Sequence, residues 1–253
     1  MKYDLCFGIG ENCDMSFALR RRGLQIASYP FDWLANSEFE KDLDIVLNEF
    51  DKFFEKEDLE KLEGESINRS AKYMNKRNNL HFVHDFPLES NFEDYYDSVR
   101  IKYEKRSKRL LTNIKNSKRV LIAFVLHRDN PLQNVLDVVS KYKSLLNDKY
   151  PNVVFDFIYI MNTQEQDYTY ENRKLNLKVF AKPFADKEKV YNILGIKFAF
   201  KNFEIDKCLD NCSLKKTFRD QWNNFVFYFL KVLISIVPFT NVQRHLRYLL
   251  RHI

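Results

Sequence analysis

The sequence predicts an α/β fold: a mostly parallel sheet flanked by helices in three layers, with a helical appendage at the C-terminus. Three observations carry this prediction. Arg119 to Leu126 (RVLIAFVL) and Val153 to Ile160 (VVFDFIYI) are near-continuous apolar runs, the pattern of parallel strands covered on both faces. Helical periodicities alternate with such runs in units of roughly 20 to 30 residues. The composition suits a sizeable core: of 253 residues 45% are hydrophobic and 15% aromatic, and only 5 Gly and 6 Pro argue against a glycine-rich barrel or long disordered linkers.

The first unit runs from Tyr3 to Leu34. Leu5 to Ile9 reads as a buried strand that breaks at Gly8 and Gly10. Glu11, Asn12, Cys13 and Asp14 follow, and then a helical pattern, Met15, Phe17, Ala18 and Leu19, that closes at Gly23. The layout is strand, glycine turn, helix, with a cysteine at the helix start. Unpaired N–H groups there favour negative charge. A thiol in that position ionises more readily, and the thiolate is the nucleophile. The same N–H groups suit an oxyanion or a bound anion. On this reading Gly10 and Asn12 approach the substrate. The alternative is a small buried cysteine in a tight turn, with Asn12 or Asp14 capping the helix.

Gln25 to Tyr29 reads as a second short strand, and Pro30-Phe31-Asp32-Trp33 follows. Asp32 between two aromatics needs a partner. It either orients a histidine or substrate group, or closes a local turn or helix cap. Glu38 to Leu62 is helical and strongly charged, with Phe39, Leu43, Val46, Leu47, Phe50, Phe53 and Phe54 at three- and four-residue steps. Gly64 to Asn79 is polar and reads as a loop.

Leu80 to Pro87 (LHFVHDFP) alternates, placing Phe82 and His84 on one face of a strand and His81 and Val83 on the other. Asp85 then points away from His84. Phe92 to Asn116 is a long helix. The apolar run to Leu126 ends in His127-Arg128-Asp129, which either binds an anionic substrate group or forms a polar loop. Pro131 to Tyr150 is a helix, Leu177 to Ala181 a further strand, and Asp186 to Phe203 a helix passing into irregular chain. In parallel sheets ligands gather beyond the strand C-termini. Gly8 to Cys13, Asp32, His84-Asp85 and His127 to Asp129 are all expected there.

After Thr217 the composition shifts, which divides the chain into an α/β domain, 1–217, and an apolar, basic helical tail, 218–253. Phe225 to Val237 (FVFYFLKVLISIV) is shorter than the roughly twenty residues of a membrane span. Arg244, Arg247 and Arg251 follow among apolar residues. Residues 225–253 suggest either an anchor on a membrane surface or a helical hairpin packed on the domain or a partner.

The formal charge is +6, densest at 20–22 and 105–109, and reads as solvated helix faces with no nucleic-acid partner. Cys6, Cys13, Cys208 and Cys212 give no disulfide framework. The C-x3-C pair has no nearby histidine, so neither metal nor cofactor is expected. Met1 to Asp4 leads straight into a strand without a secretory leader, and the expected location is cytoplasmic, peripheral at the inner membrane face.

The combination GIGENC, LRRRGL and SYPFDWL, followed by HFVHDF at His81 to Phe86, resembles a bacterial family of unknown function described as papain-like cysteine peptidases. The resemblance implies a cysteine-dependent hydrolase, peptidase-like or acyl-transfer. Cys13 would be its nucleophile, His84 its general base, and Asp85 or Asp32 the residue that orients His84. The substrate would be a peptide, ester or thioester. Papain-like topology would be α+β, with the histidine on an antiparallel sheet. The residue pattern instead favours the parallel sheet. The alternative function is a non-catalytic ligand-binding or accessory protein beside bacterial surface-glycan machinery at the membrane face.

Overall fold

The computed structural model describes residues 1–67, 70–163, 167–183, 188–193, 196–201, 205–216 and 226. Strands β1 (Lys2–Tyr3) and β2 (Leu5–Gly10) lead into helix α1 (Asp14–Arg21), a 3-10 turn at Pro30–Trp33, β3 (Leu34–Ala35) and α2 (Phe39–Leu47). Next come β4 (Leu59–Ile67), β5 (Ser70–Asn75), β6 (His81–Pro87) and the long α3 (Phe92–Asn116). The chain continues through β7 (Arg119–Leu126), α4 (Leu132–Lys149), β8 (Val154–Asn162), β9 (Tyr168–Asn172) and β10 (Leu177–Lys182). It closes with β11 (Glu188–Ile193), β12 (Ile196–Lys201), α5 (Ile205–Cys208) and β13 (Ser213–Leu214).

The fold is mixed α/β with several sheets. The main sheet has the order β2-β7-β8-β10-β9. Its first four strands pair in parallel, and β9 closes one edge antiparallel. Alternation along the strands separates two apolar clusters. Phe7 and Ile9 on β2, with Val120, Ile122 and Phe124 on β7, pack against α2, α3 and α4 through Leu43, Leu110 and Val139. Cys6, Leu121, Ala123 and Val125 face the other way, onto Met15, Ala18 and Leu19 of α1 and onto Ile205 and Leu209. Each fully buried Val, Leu, Ile, Phe or Met among them contributes about 1.5–3 kcal/mol. A second sheet, β3-β6-β5-β4, is wholly antiparallel.

Of that second sheet only β6 was legible in the pattern, as the strand read over Leu80 to Pro87. Gly64 to Asn79 holds the end of β4 and all of β5 rather than a loop, because pairing of β4 with β5 and of β5 with β6 satisfies a polar backbone. The helix expected over 38–62 stops at Leu47, where Glu49, Phe50 and Lys52 turn the chain with φ of 54°, 62° and 49°. Gln25 to Tyr29 is irregular, its backbone held by side chains instead of a ladder. The helix expected over 186–203 is replaced by the antiparallel pair β11 and β12, in keeping with the β-branched and aromatic residues Val190, Tyr191, Ile193, Phe198 and Phe200. The tail at 218–253 lies outside the described residues apart from Val226. Among the described residues, no helix is long and apolar enough to cross a membrane.

Two ties close the molecule. β1 pairs in parallel with β13. Arg21 donates to both carboxylate oxygens of Asp206 at 2.9 and 3.2 Å, and Arg22 pairs with Asp210. With Arg20 bonded to Ser28, all three arginines of the 20–22 run are engaged within the fold.

Candidate active site

Strands β2 and β7 are neighbours, with Gly10 opposite Val125. Both chains leave the sheet at the same end, so residues 11–14 and 127–128 meet just beyond it. The glycines serve this packing. A Cβ on Gly8 would fall 2.7 Å from Met15 Cγ, and one on Gly10 would fall 2.6 Å from Val125 Cγ1. Gly8 therefore lets α1 lie on β2, and Gly10 lets β2 close on β7.

Cys13 is half-buried and is the N-cap residue of α1. Its carbonyl accepts the Phe17 N–H at 3.0 Å, the first bond of the helix. Asn12 Oδ1 accepts the Asp14 N–H at 2.8 Å. The amides of Met15 and Ser16 have no acceptor within the helix. At the other end Gly23 has φ 63°, Leu24 N–H bonds Leu19 C=O at 2.8 Å, and Gly23 N–H bonds Arg20 C=O at 3.0 Å. This is a Schellman stop. The LRRRGL motif is thus a helix terminator that fixes the length of α1.

Glu11 joins the two loops. Its Oε2 accepts the His127 N–H at 2.7 Å, and its Oε1 pairs with Arg128. The His127 carbonyl is also reached by Asn162 Nδ2 at 3.4 Å from the end of β8. So held, His127 Nε2 lies 3.1 Å from Asp14 Oδ2 and 3.1 Å from Asn12 Nδ2. Because Asn12 Oδ1 is committed to the Asp14 amide, its Nδ2 is the group turned to the ring. One imidazole nitrogen therefore has both a donor and an acceptor beside it. Unprotonated it accepts from Asn12, and protonated it donates to Asp14.

Asp32 stands behind α1. It is fully buried. Its oxygens accept from Gln25 Nε2 at 2.6 Å, the Tyr29 N–H at 2.8 Å and Ser16 Oγ at 3.2 Å. Burial raises its pKa, and the charges of Arg20 and Arg106 oppose the rise. Trp33 stacks edge-on against Phe17 at 5.3 Å and lies under the Arg20 guanidinium at 5.3 Å. The PFDW element thus grips α1 from Ser16 to Arg20. It caps its own turn and buttresses the helix that carries Cys13.

His84 and Asp85 require a correction. They lie on β6 of the antiparallel sheet, not at the carboxyl ends of the parallel strands. Asn36 N–H donates to Glu11 C=O at 3.0 Å, and Ala35 pairs with His81. Thus β6 meets the Cys13 loop at His81, and His84 lies three residues, about 10 Å, further along the strand. Burial lowers the His84 pKa, Asp85 opposes this, and Lys102 adds to it. Asp85 itself pairs with Lys102 and accepts from Tyr103 Oη at 2.8 Å.

Of the residues expected in the site, the structure therefore brings together Gly10, Asn12, Cys13, His127 and Arg128. Asp129 points into its own loop, its Oδ1 accepting the Asn130 N–H at 2.9 Å. Sequence reasoning missed Glu11 and Asp14. Their signal was present as the charged residues flanking Asn12-Cys13. A groove of about 760 Å3 between residues 49–55 and α3, lined by Phe50, Tyr96, Tyr103 and Lys108, uses none of these residues. Among the described residues, no group of three or more His, Cys, Asp or Glu side chains could hold a metal ion.

A family model described as "Putative papain-like cysteine peptidase" matches residues 4–165. An uncharacterized protein of Acanthamoeba polyphaga mimivirus is 26% identical over 173 residues, covering 61% of this chain and 75% of that protein. No solved structure matches the chain. The matched span reaches from β2 past β8 and includes every residue around Cys13 described above.

Proposed function

The chain belongs to that family, and on this premise we propose that it is a cysteine-dependent hydrolase of acyl compounds. Cys13 is its nucleophile and His127, in place of His84, its general base. The observation that favours His127 is the 3.1 Å approach of its Nε2 to Asp14, the residue adjoining Cys13.

The thiol of Cys13 gives its proton to the imidazole, and the helix start stabilises the thiolate. The resulting imidazolium donates to Asp14, which holds the ring in place. Sulfur then attacks the acyl carbon. The oxygen that gains negative charge is met by the Met15 and Ser16 amides. The imidazolium returns its proton to the leaving amine, alcohol or thiol, and the bond to that group breaks. Water then cleaves the thioester with His127 again as base. Glu11 positions His127 by its backbone, and Asp32 positions the helix of Cys13. Peptides, esters and thioesters all suit this chemistry.

The test is a burst experiment with p-nitrophenyl acetate. The wild type releases about one equivalent of nitrophenol rapidly, and mass spectrometry finds the acetyl group on Cys13. A burst of equal size in Cys13→Ala contradicts the proposal.

A further inference from the structure

Away from Cys13, cations from two helices gather round one buried carboxylate. Arg20 Nη2 on α1 lies 3.6 Å from Asp32 Oδ2 and donates to Ser28 Oγ at 2.7 Å. Arg106 on α3 also acts electrostatically on Asp32 and lies over the Tyr103 ring at 5.4 Å. Arg109, about one turn along α3, donates to the Ser28 carbonyl at 3.0 Å. Trp33 Nε1 reaches Ser28 Oγ at 3.5 Å.

Asp32 is an ion-pair partner of Arg20 but accepts no hydrogen bond from Arg20 or Arg106. Its oxygens are already taken by Ser16, Gln25 and the Tyr29 amide. Nε of Arg20 and Nη1 of Arg106 are buried with no hydrogen-bond partner among the described residues. Nearby Lys102 and Asp85 pair with each other. Two guanidinium groups thus act on one carboxylate, and a third, Arg109, stands at the adjoining Ser28 carbonyl. Water would pair the N–H groups and leave the charge excess uncompensated, whereas an oxyanion does both. Guanidinium forks match the oxygens of carboxylate and phosphoryl groups.

We propose that Arg20 and Arg109 at Ser28, with Arg106 beside them on α3, form a binding site for a small oxyanion group, phosphoryl or carboxylate. The site is separate from Cys13. Arg20 lies seven residues further along α1, about 10 Å from the thiol residue. A bound anion bridges α1 and α3, and so bears on the helix of Cys13 without touching the thiol.

The test uses the full chain, with inorganic phosphate and acetate as probes at ionic strength held constant with NaCl. Thermal melting is expected to rise saturably with one probe beyond the chloride control, and the probe that binds more tightly names the group. By calorimetric titration, Arg106→Met and Arg109→Gln each weaken that binding tenfold or more, while Cys13→Ala leaves it unchanged. Arg109 is exposed, so Arg109→Gln tests the site even if Arg106→Met does not fold. Melting shifts equal to those of chloride for both probes overturn the proposal. So does an affinity unchanged in Arg109→Gln and in any folded Arg106→Met protein.

Discussion

His127 Nε2 lies 3.1 Å from Oδ2 of Asp14, the residue that follows Cys13 at the start of α1. The contact joins the ends of two adjacent parallel strands, and its geometry depends on Glu11. The Glu11 carboxylate accepts the His127 amide and pairs with Arg128.

Glu11→Ala should therefore release the 127–128 loop. A hydrogen bond to a charged group contributes about 1.5–3 kcal/mol, and urea unfolding should show a loss of that order. Alkylation of Cys13 should slow at neutral pH as the histidine leaves its position. Unchanged alkylation in a folded Glu11→Ala protein would show that the loop needs no such clamp.

Asp32→Ala should be more severe. It leaves Gln25, Ser16 and the Tyr29 amide without their buried acceptor and leaves Arg20 without its counter-charge. The expected cost is about 3–5 kcal/mol, read by chemical denaturation. Asp32→Asn retains an acceptor oxygen and should cost less.

Gly8→Ala tests the close packing of α1. The added methyl meets Met15 Cγ at 2.7 Å and Leu19 Cδ1 at 3.1 Å. Overpacking of this kind costs about 1–3 kcal/mol. Gly8→Ala combined with Met15→Ala should recover part of the loss, because the clash is with a side chain.

Asp42 supplies a pH dependence. It is fully buried on α2, and neither carboxylate oxygen has a partner of hydrogen-bond geometry among the described residues. Burial pushes its carboxyl well above the ordinary 3.8, with Ser37 and Lys41 offsetting part of the rise. The folded chain therefore keeps a proton that the unfolded chain releases. Stability from this group is complete below the unfolded pKa and is lost as pH rises through the folded pKa, at up to about 1.4 kcal/mol per pH unit. The stability of Asp42→Asn relative to wild type should increase as pH rises above 4. Denaturation midpoints across that range check the sign.

Much of the main sheet was legible because VLIAFVL and FDFIYI each occupy a strand buried on both faces, and burial on two faces leaves an unbroken apolar run. Of the antiparallel sheet only β6 was, from its alternation. Residues 59–75 are polar and lack an apolar alternation, and their strand character comes from backbone pairing of β4 with β5 and of β5 with β6. The candidate site was half legible. The ends of β2 and β7 were recognised as ligand-facing, with His127 among the binding residues, but strand adjacency is not written in either strand, so the approach of His127 to Asp14 was not foreseen. The PFDW element was marked by a carboxylate between aromatics. Its role came only with Ser16, Gln25 and Arg20 placed around it.

The most direct measurement is the pH dependence of iodoacetamide alkylation at Cys13, followed by peptide mass spectrometry to separate it from Cys212. It compares the wild type with His127→Ala and His84→Ala. The account predicts an apparent thiol pKa well below the free value of about 8.5 in the wild type and in His84→Ala, rising in His127→Ala. A profile that moves with His84 and ignores His127, or one at the free-thiol value throughout, would contradict it.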